Sequence, residues 1–377
     1  MKKIFLFIKY KLRKGWVYAS EVIAYKRGKI GYSSLFINIT SLCNSNCRYC
    51  DVKSLDLTKN LSDDEIKRIL AEAKGMGLKE AVFSGGEPFT HSNIWELIKF
   101  TLGLKLELSV ISNGLLLAEM DGKKLEQLKR LKALIISLDS ADPKIHDEIR
   151  GGEGFFNKTV RGVKICREAG INVRIASVIS NKNYGGLAGL INLADELDVR
   201  YIAFQPLHVW SNYSKEANIK NPENLVIEEK DLTDLTDEVR RAIKYSKKKK
   251  VNTNLPALIE WLDNYFISQS AGTARELWFK RTVSNFRCKE IFTKLFIDYD
   301  GGILPCAMLS ARENVKGKGL AKAVKALDLL KADIRAGKFP EECRKCSCQM
   351  SSNYIFSIFL SPVSNWMKVV KFIKNAL

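Results

Sequence analysis

Leu35-Phe-Ile-Asn-Ile-Thr-Ser-Leu-Cys43-Asn-Ser-Asn-Cys47-Arg-Tyr-Cys50 is the stretch on which the fold turns. Its first six residues are mostly apolar, rich in aromatic and β-branched side chains, and read as a strand. Three cysteines follow almost at once. In a parallel α/β barrel the loops after the strands form the functional face, so the thiols are expected there. A 4Fe–4S cluster usually takes four cysteine ligands. Three thiolates at three corners leave one iron open, as a catalytic metal site requires. Zinc is the competing occupant. It takes four ligands, often in Cys-x-x-Cys pairs, and the x3/x2 spacing of Cys43, Cys47 and Cys50 fits that poorly.

Working outward, the chain alternates regularly. Ser62 to Lys74 reads as a helix, with Ser62 as N-cap and Glu65 completing a capping box. Further strands are expected at Ala81–Phe83, Leu106–Ile111, Ala133–Leu138, Val173–Ile179 and Tyr201–Phe204. Helices are expected at Asn93–Leu102, Gly122–Leu131, Phe155–Ala169 and Tyr184–Glu196. Such alternation implies parallel strands with helical crossovers. The six units fall short of the eight of a complete barrel. The expected fold class is α/β, a partial (β/α)6 barrel over residues 34–210. After Gln205 the rhythm stops. Residues 211–285 form a connecting region, with helices expected at Asp231–Ser246 and Ala257–Phe266. A small cysteine-rich module follows at 286–352.

The two ends differ from the rest. Residues 1–33 carry nine Lys/Arg and one acid, Glu21, among apolar side chains. Residues 353–377 are apolar with three lysines and no acid. Both read as basic amphipathic segments. No apolar run reaches the roughly 18 residues of a membrane span. The short run Ile4–Ile8 is followed at once by lysines, so no signal peptide is expected. Nine cysteines in 377 residues are too sparse for a disulfide scaffold, and their tight clusters read as metal sites. A cytoplasmic location is expected, with peripheral attachment at the inner face of the membrane as an extension of it. The net charge of +19 favours an anionic partner: a membrane surface, a nucleic acid or an acidic substrate.

The motifs together resemble a known family. Cys-x-x-x-Cys-x-aromatic-Cys is the signature of the radical S-adenosylmethionine (radical SAM) superfamily. Gly85-Gly86-Glu87-Pro88 lies at the end of the second strand, where that family carries a Gly-Gly-Glu motif. Ile111-Ser112-Asn113-Gly114 ends the third strand and Ser137-Leu138-Asp139 the fourth. His146-Asp147-x-x-Arg150-Gly151 follows, and Gln205-Pro206 ends the sixth. The resemblance covers about residues 34–206. It implies that Cys43, Cys47 and Cys50 hold a 4Fe–4S cluster whose open iron is chelated by S-adenosylmethionine. It further implies cofactor contacts from Tyr49, Gly85, Gly86, Glu87, Ser112, Asn113, Ser137 and Gln205. Tyr49 and Gln205 would flank the adenine. Gly85 and Gly86, lacking a Cβ, would let the backbone approach the methionyl amine. Ser112, Asn113 and Ser137 would offer hydrogen bonds to ribose or carboxylate. The family places Asp139 and Arg150 near the site, and a buried ion pair is the other reading. An electron donor such as ferredoxin or flavodoxin is implied as a partner.

A second set of cysteines lies downstream. Asp298-Tyr-Asp-Gly-Gly-Ile-Leu-Pro-Cys306 reads as a hairpin turning at Asp300-Gly301-Gly302. With Cys288 before it and Cys343-Arg-Lys-Cys346-Ser-Cys348 after it, this resembles the auxiliary-cluster modules called SPASM and twitch. The resemblance implies one auxiliary cluster on Cys288, Cys306, Cys343 and Cys346, with Cys348 as an alternative ligand. A structural zinc on the same residues is the other reading. Cys166, within an apolar helix face, is expected to be a core thiol. Peptide or protein modification is the expected activity. A lipid or isoprenoid substrate is the alternative suggested by the basic ends. RNA binding is a third reading, resting on charge alone and without a motif, so no specific nucleic acid is expected. His208, Trp210 and Tyr213 follow the sixth strand as candidates for the pocket wall.

Overall fold

A computed structural model describes residues 30–207, 225–259, 288–307 and 309–340, together with 23–25, Arg27, Leu262 and Cys343. The side chains of residue 257 are outside that description. The expected alternation is present: β1 (Ser34–Thr40), α1 (Asp63–Gly75), β2 (Glu80–Gly85), α2 (Ile94–Gly103), β3 (Glu107–Ser112), α3 (Gly122–Leu128) and β4 (Ala133–Ser137). It continues through α4 (Pro143–Arg150), α5 (Phe155–Glu168), β5 (Val173–Ile179), α6 (Leu187–Glu196) and β6 (Tyr201–Pro206). Then come α7 (Leu232–Lys249), β7 (Asn252–Thr253), α8 (Leu255–Leu258), α9 (Glu290–Thr293), β8 (Lys294–Ile297), β9 (Gly302–Leu304) and β10 (Glu313–Asn314). Two short helices, α10 (Leu320–Val324) and α11 (Asp328–Arg335), close the described part.

Among the described residues all strands join one ten-stranded sheet, ordered β10-β9-β8-β1-β2-β3-β4-β5-β6-β7. From β8 to β7 every neighbouring pair is parallel, and β8-β9-β10 is antiparallel. One face of each core strand is packed under helices. Leu35, Ile37 and Ile39 of β1 are fully buried with Ile66, Ile69 and Leu70 of α1. On the other face Phe36 stacks on Phe296 of β8 at 5.0 Å. The capping box of α1 is formed, with Ser62 N donating to Glu65 Oε2 at 2.8 Å and Glu65 N to Ser62 Oγ at 3.3 Å.

The structure adds to the sequence reading in three places. Helix α4 was not expected. Its signal is Asp142-Pro143: the Asp142 carboxylate caps Lys144 N and Ile145 N, and Pro143 opens the first turn. The sheet also does not end at Gln205. β7 is two residues long and β8 four, too short for periodicity to reveal. The hairpin of the cysteine-rich module therefore extends the barrel sheet, with Leu35 opposite Leu295 and Ile37 opposite Ile297. Finally, the end of the basic N-terminal segment packs on that module. Tyr25 is buried edge-on to Phe292 at 5.2 Å, and Arg335 lies 5.7 Å over its ring. The rest of that segment, residues 353–377 and positions 208, 210 and 213 lie outside the described residues. Among the described residues no helix is long and apolar enough to cross a membrane.

The module also holds the barrel's first long loop. Leu61 N donates to Tyr299 O at 2.7 Å, Asn38 Nδ2 to Asp298 Oδ1 at 3.0 Å, and Lys316 Nζ to Lys59 O at 3.0 Å. Leu320 N donates to Glu72.

Candidate functional site

The site lies where β1 to β6 end. β1 runs into the cysteine loop, Ser41 to Leu61. Asn60 Oδ1 closes it by accepting Ser41 N and Ser41 Oγ, each at 3.0 Å. A turn within it joins Cys50 N to Cys47 O at 3.1 Å. Cys43 and Cys47 are half-buried and Cys50 is exposed.

The C-terminal end of α4 carries the loop. The last carbonyls of a helix have no partner within it. Here Ile149 O accepts Arg48 N at 2.9 Å, while Arg150 O accepts Asn46 N at 3.3 Å and Ser45 Oγ at 2.9 Å. Gly151 ends the helix in the left-handed region at φ 73°, and a Cβ there would lie 2.1 Å from Asn46 O. The His146-Asp147-x-x-Arg150-Gly151 motif is thereby explained. His146 is a core imidazole, accepting Asp139 N at 3.3 Å on Nδ1 and pushed down to about 4, chiefly by burial and then by Arg150. Asp147 accepts Gly154 N at 2.6 Å and Phe156 N at 2.7 Å, fixing the start of α5.

Polar donors converge on the sulfurs. Ser45 N donates to Cys43 Sγ at 3.4 Å and Arg150 Nη1 to Cys47 Sγ at 3.8 Å, while Ser45 Oγ, whose proton goes to Arg150 O, lies 3.2 Å from Cys47 Sγ. Donors of this kind stabilise negative sulfur and suit thiolates that carry a cluster. Burial pushes the Cys43 thiol up, so ligation there displaces a proton.

Gly85 and Gly86 sit against the chain entering the loop. Gly86 N donates to Thr40 O and Glu87 N to Leu42 O, both at 2.8 Å. A Cβ at Gly85, where φ is 122°, would lie 2.2 Å from Thr40 O, and one at Gly86 2.1 Å from Leu42 O. The loop's own approach therefore requires both glycines, independently of any cofactor.

Glu87 is fully buried and joins β2 to β3. It accepts Ser112 Oγ at 2.9 Å, Phe89 N at 3.1 Å and Asn113 N at 2.7 Å. Burial outweighs these donors and pushes its carboxyl up to about 7. Ser112 is thus turned into the protein, and Asn113 Nδ2 reaches Asn44 Oδ1 of the cysteine loop at 2.7 Å. Ser137 is half-buried at the end of β4, and Gln205 is exposed on β6. The Tyr49 hydroxyl donates to Asp139 Oδ2 at 3.1 Å. Asp139 and Arg150 form the buried ion pair at 2.7 Å. Sequence reasoning missed Ser45, Asn60 and Asn183. The available signal was a small hydroxyl residue between cysteines and Asn in turn positions.

A prediction follows from Glu87. Its native value lies above the ordinary 4.5, so the native state holds the extra proton between about 4.5 and 7. Stability is fully present below that window and falls as pH rises through it, by about 3 kcal/mol. Denaturation of the metal-free protein from pH 4.5 to 8 should show this fall, and Glu87→Gln should flatten it.

Of the second cysteine set, Cys288 lies just ahead of α9 and packs with Ile291, Phe292 and Ile334. Cys306 follows β9, and Cys343 is half-buried with its N–H donating to Pro340 O at 3.0 Å. Cys346 and Cys348 lie outside the described residues. Among the described residues no three His, Cys, Asp or Glu side chains gather around a single-ion position. Cys166 is a buried core thiol, pushed up to about 12 by burial.

Comparison with known proteins identifies the family. The sequence pattern of the Radical SAM superfamily matches residues 37–193. The AdoMet-dependent heme synthase of Methanosarcina barkeri is 30% identical over 161 residues, 42% of this chain and 46% of that protein. The GTP 3',8-cyclase of Alkaliphilus oremlandii is 30% identical over 223 residues, 55% of this chain and 67% of that protein. This chain spans less than half the length of the heme synthase relatives it matches. The crystal structure of Streptococcus suis SuiB bound to the precursor peptide SuiA shares the fold, with a TM-score of 0.61 at 20% identity over 91% of this chain and 75% of SuiB. The chain therefore belongs to the radical SAM superfamily, an enzyme family whose characteristic cofactors are a 4Fe–4S cluster and S-adenosylmethionine.

Proposed function

We propose that Cys43, Cys47 and Cys50 hold a 4Fe–4S cluster with one iron open to S-adenosylmethionine, and that the enzyme modifies a peptide or protein. The observation that carries the cluster site is the pair of donors on the sulfurs, Ser45 N on Cys43 and Arg150 Nη1 on Cys47. When bound and reduced, such a cluster supplies the electron that splits S-adenosylmethionine into methionine and a hydrogen-abstracting 5'-deoxyadenosyl radical. The protein's own part is orientation and exclusion of competing reactions. Asn60 and the end of α4 hold the cysteine loop in one geometry. Glu87 fixes the ends of β2 and β3 beneath it. Tyr49, Gly85, Gly86, Ser137 and Gln205 are the proposed cofactor contacts. Ser112, Asn113 and Glu87 serve it through the loop, because their polar atoms are engaged within the protein. An acidic one-electron donor of the ferredoxin or flavodoxin type is the proposed reductant.

The peptide reading is supported by the likeness to peptide-bound SuiB, which extends past the barrel over 91% of this chain. A small anionic substrate is the second reading. It is favoured by the net charge of +19 and by the likeness to GTP 3',8-cyclase. The lipid reading rests on residues 1–33 and 353–377, of which only the end of the first is described.

An auxiliary cluster on Cys288, Cys306, Cys343 and Cys346, with Cys348 in reserve, is part of the proposal. Anaerobically reconstituted protein with Cys43, Cys47 and Cys50 all changed to alanine should retain about four irons. Near-zero iron in that variant would leave a one-cluster enzyme.

A further inference from the structure

Arg150 serves the cysteine loop twice. Its main-chain oxygen anchors Ser45 and Asn46. Its side chain turns back toward the same loop and is held on three sides. It pairs with Asp139 at 2.7 Å, with the Arg150 side chain 10% and the Asp139 side chain 0% exposed. Its guanidinium carbon lies 5.5 Å over the Tyr49 ring. Its Nη1 points at Cys47 Sγ, 3.8 Å away.

Asp139 is itself immobilised. Its Oδ1 accepts Val178 N at 2.8 Å, its Oδ2 accepts the Tyr49 hydroxyl at 3.1 Å, and its main-chain oxygen accepts Asn183 Nδ2 at 2.7 Å. Asn183 is fixed in turn, its Oδ1 accepting Ser180 N at 2.7 Å. The guanidinium is therefore fastened to the ends of β4 and β5 and has little freedom to leave the sulfur.

We propose that Arg150 is a positioning residue that sets the charge at Cys47 Sγ, and through it the reduction potential of the cluster. Asp139 aims Arg150 and partly opposes its charge. The inference rests on the reading of Cys47 as a cluster ligand. Reduction adds one electron, taken from a low-potential donor, and makes the sulfurs more negative. A fixed positive donor at one sulfur favours that state, and partial burial keeps the effect from being screened. Arginine suits this task because it stays charged and its planar fork serves Asp139 and Cys47 together.

The experiment compares wild type with Arg150→Met, Arg150→Lys and Asp139→Asn, all reconstituted anaerobically. Iron is counted first. The reduced-state EPR signal that changes on adding S-adenosylmethionine is taken as that of the cluster at Cys47. An EPR-monitored redox titration then reads its potential. Arg150→Met should make reduction at least tenfold less favourable, equivalent to 59 mV for a one-electron couple. Arg150→Lys should lie between it and wild type, and Asp139→Asn should shift the opposite way. An unchanged potential in an iron-replete, S-adenosylmethionine-responsive Arg150→Met protein overturns the inference. Should that variant lack the S-adenosylmethionine-responsive signal, the signs found for Arg150→Lys and Asp139→Asn decide it. Absence of iron or of any responsive signal in the wild type would instead refute the cluster reading itself.

Discussion

Replacing Cys47 with alanine is expected to remove the iron held by the cysteine loop and with it the chain's chemistry. Cys47 is the middle of the three cysteines and carries the most support. Ser45 Oγ and Arg150 Nη1 both face its sulfur, and Arg48 N and Asn46 N on either side of it are bonded to the end of α4. Alanine leaves the loop's backbone bonds intact but removes one corner of the ligand set. Two thiolates then face a cluster that ordinarily takes four cysteines. The loss should be near complete at this site, because a cluster with two ligands has no stable arrangement there. Iron and sulfide analysis reads it directly. With the proposed auxiliary cluster intact, the variant should keep about four irons. The fold should be unaffected, since Cys47 makes no contribution to the apolar core. Full iron content would mean that Cys47 is not a ligand.

Changing Gly151 to alanine should have the next largest effect, through geometry alone. The new Cβ would meet Asn46 O at 2.1 Å and Asn46 C at 2.7 Å, both backbone atoms of the cysteine loop. Neither can swing aside like the end of a side chain. The left-handed conformation adds about 1–2 kcal/mol of its own for a residue with a Cβ. Relief requires moving either the end of α4 or the loop, and with it the bonds from Ser45, Asn46 and Arg48. A total destabilisation of about 2–4 kcal/mol is expected, together with clearly reduced iron at the site. Gly154→Ala is the matched control. Gly154 also has a positive φ, 76°, but nothing lies within 4 Å of its would-be Cβ. That variant should cost only about 1 kcal/mol and keep its iron. Chemical denaturation of the metal-free proteins and iron analysis of the reconstituted ones separate the two. Equal behaviour of the two variants would show that the close approach of Gly151 to Asn46 is unimportant.

Local signals carried much of this structure. Ser62 and Glu65 announce the start of α1, and the alternating pattern of Val173–Ile179 announces a strand, because capping and packing depend on near neighbours. What escaped notice depends on residues far apart in sequence. Gly151 is required by Asn46, and Ser112 is held by Glu87. A single sequence shows neither pair. The cofactor roles expected of Ser112 and Asn113 looked reasonable from their place at a strand end. In the structure buried Ser112 donates to Glu87, and half-buried Asn113 bonds both Glu87 and Asn44 of the cysteine loop. Asp139 and Arg150 were legible as site neighbours or as an ion pair, and the geometry makes them both. The joining of β8 to β1 was hidden for a different reason. A four-residue strand has too little pattern to tell its partner.

The central claim is that this loop binds a cluster that acts on S-adenosylmethionine. The most direct measurement is the 5'-deoxyadenosine formed by anaerobically reconstituted, dithionite-reduced wild-type protein given S-adenosylmethionine, beside the same assay on Cys47→Ala. The account predicts 5'-deoxyadenosine from the wild type and none above background from the variant. Equal product from both proteins, or none from a wild type with its full complement of iron, would contradict it.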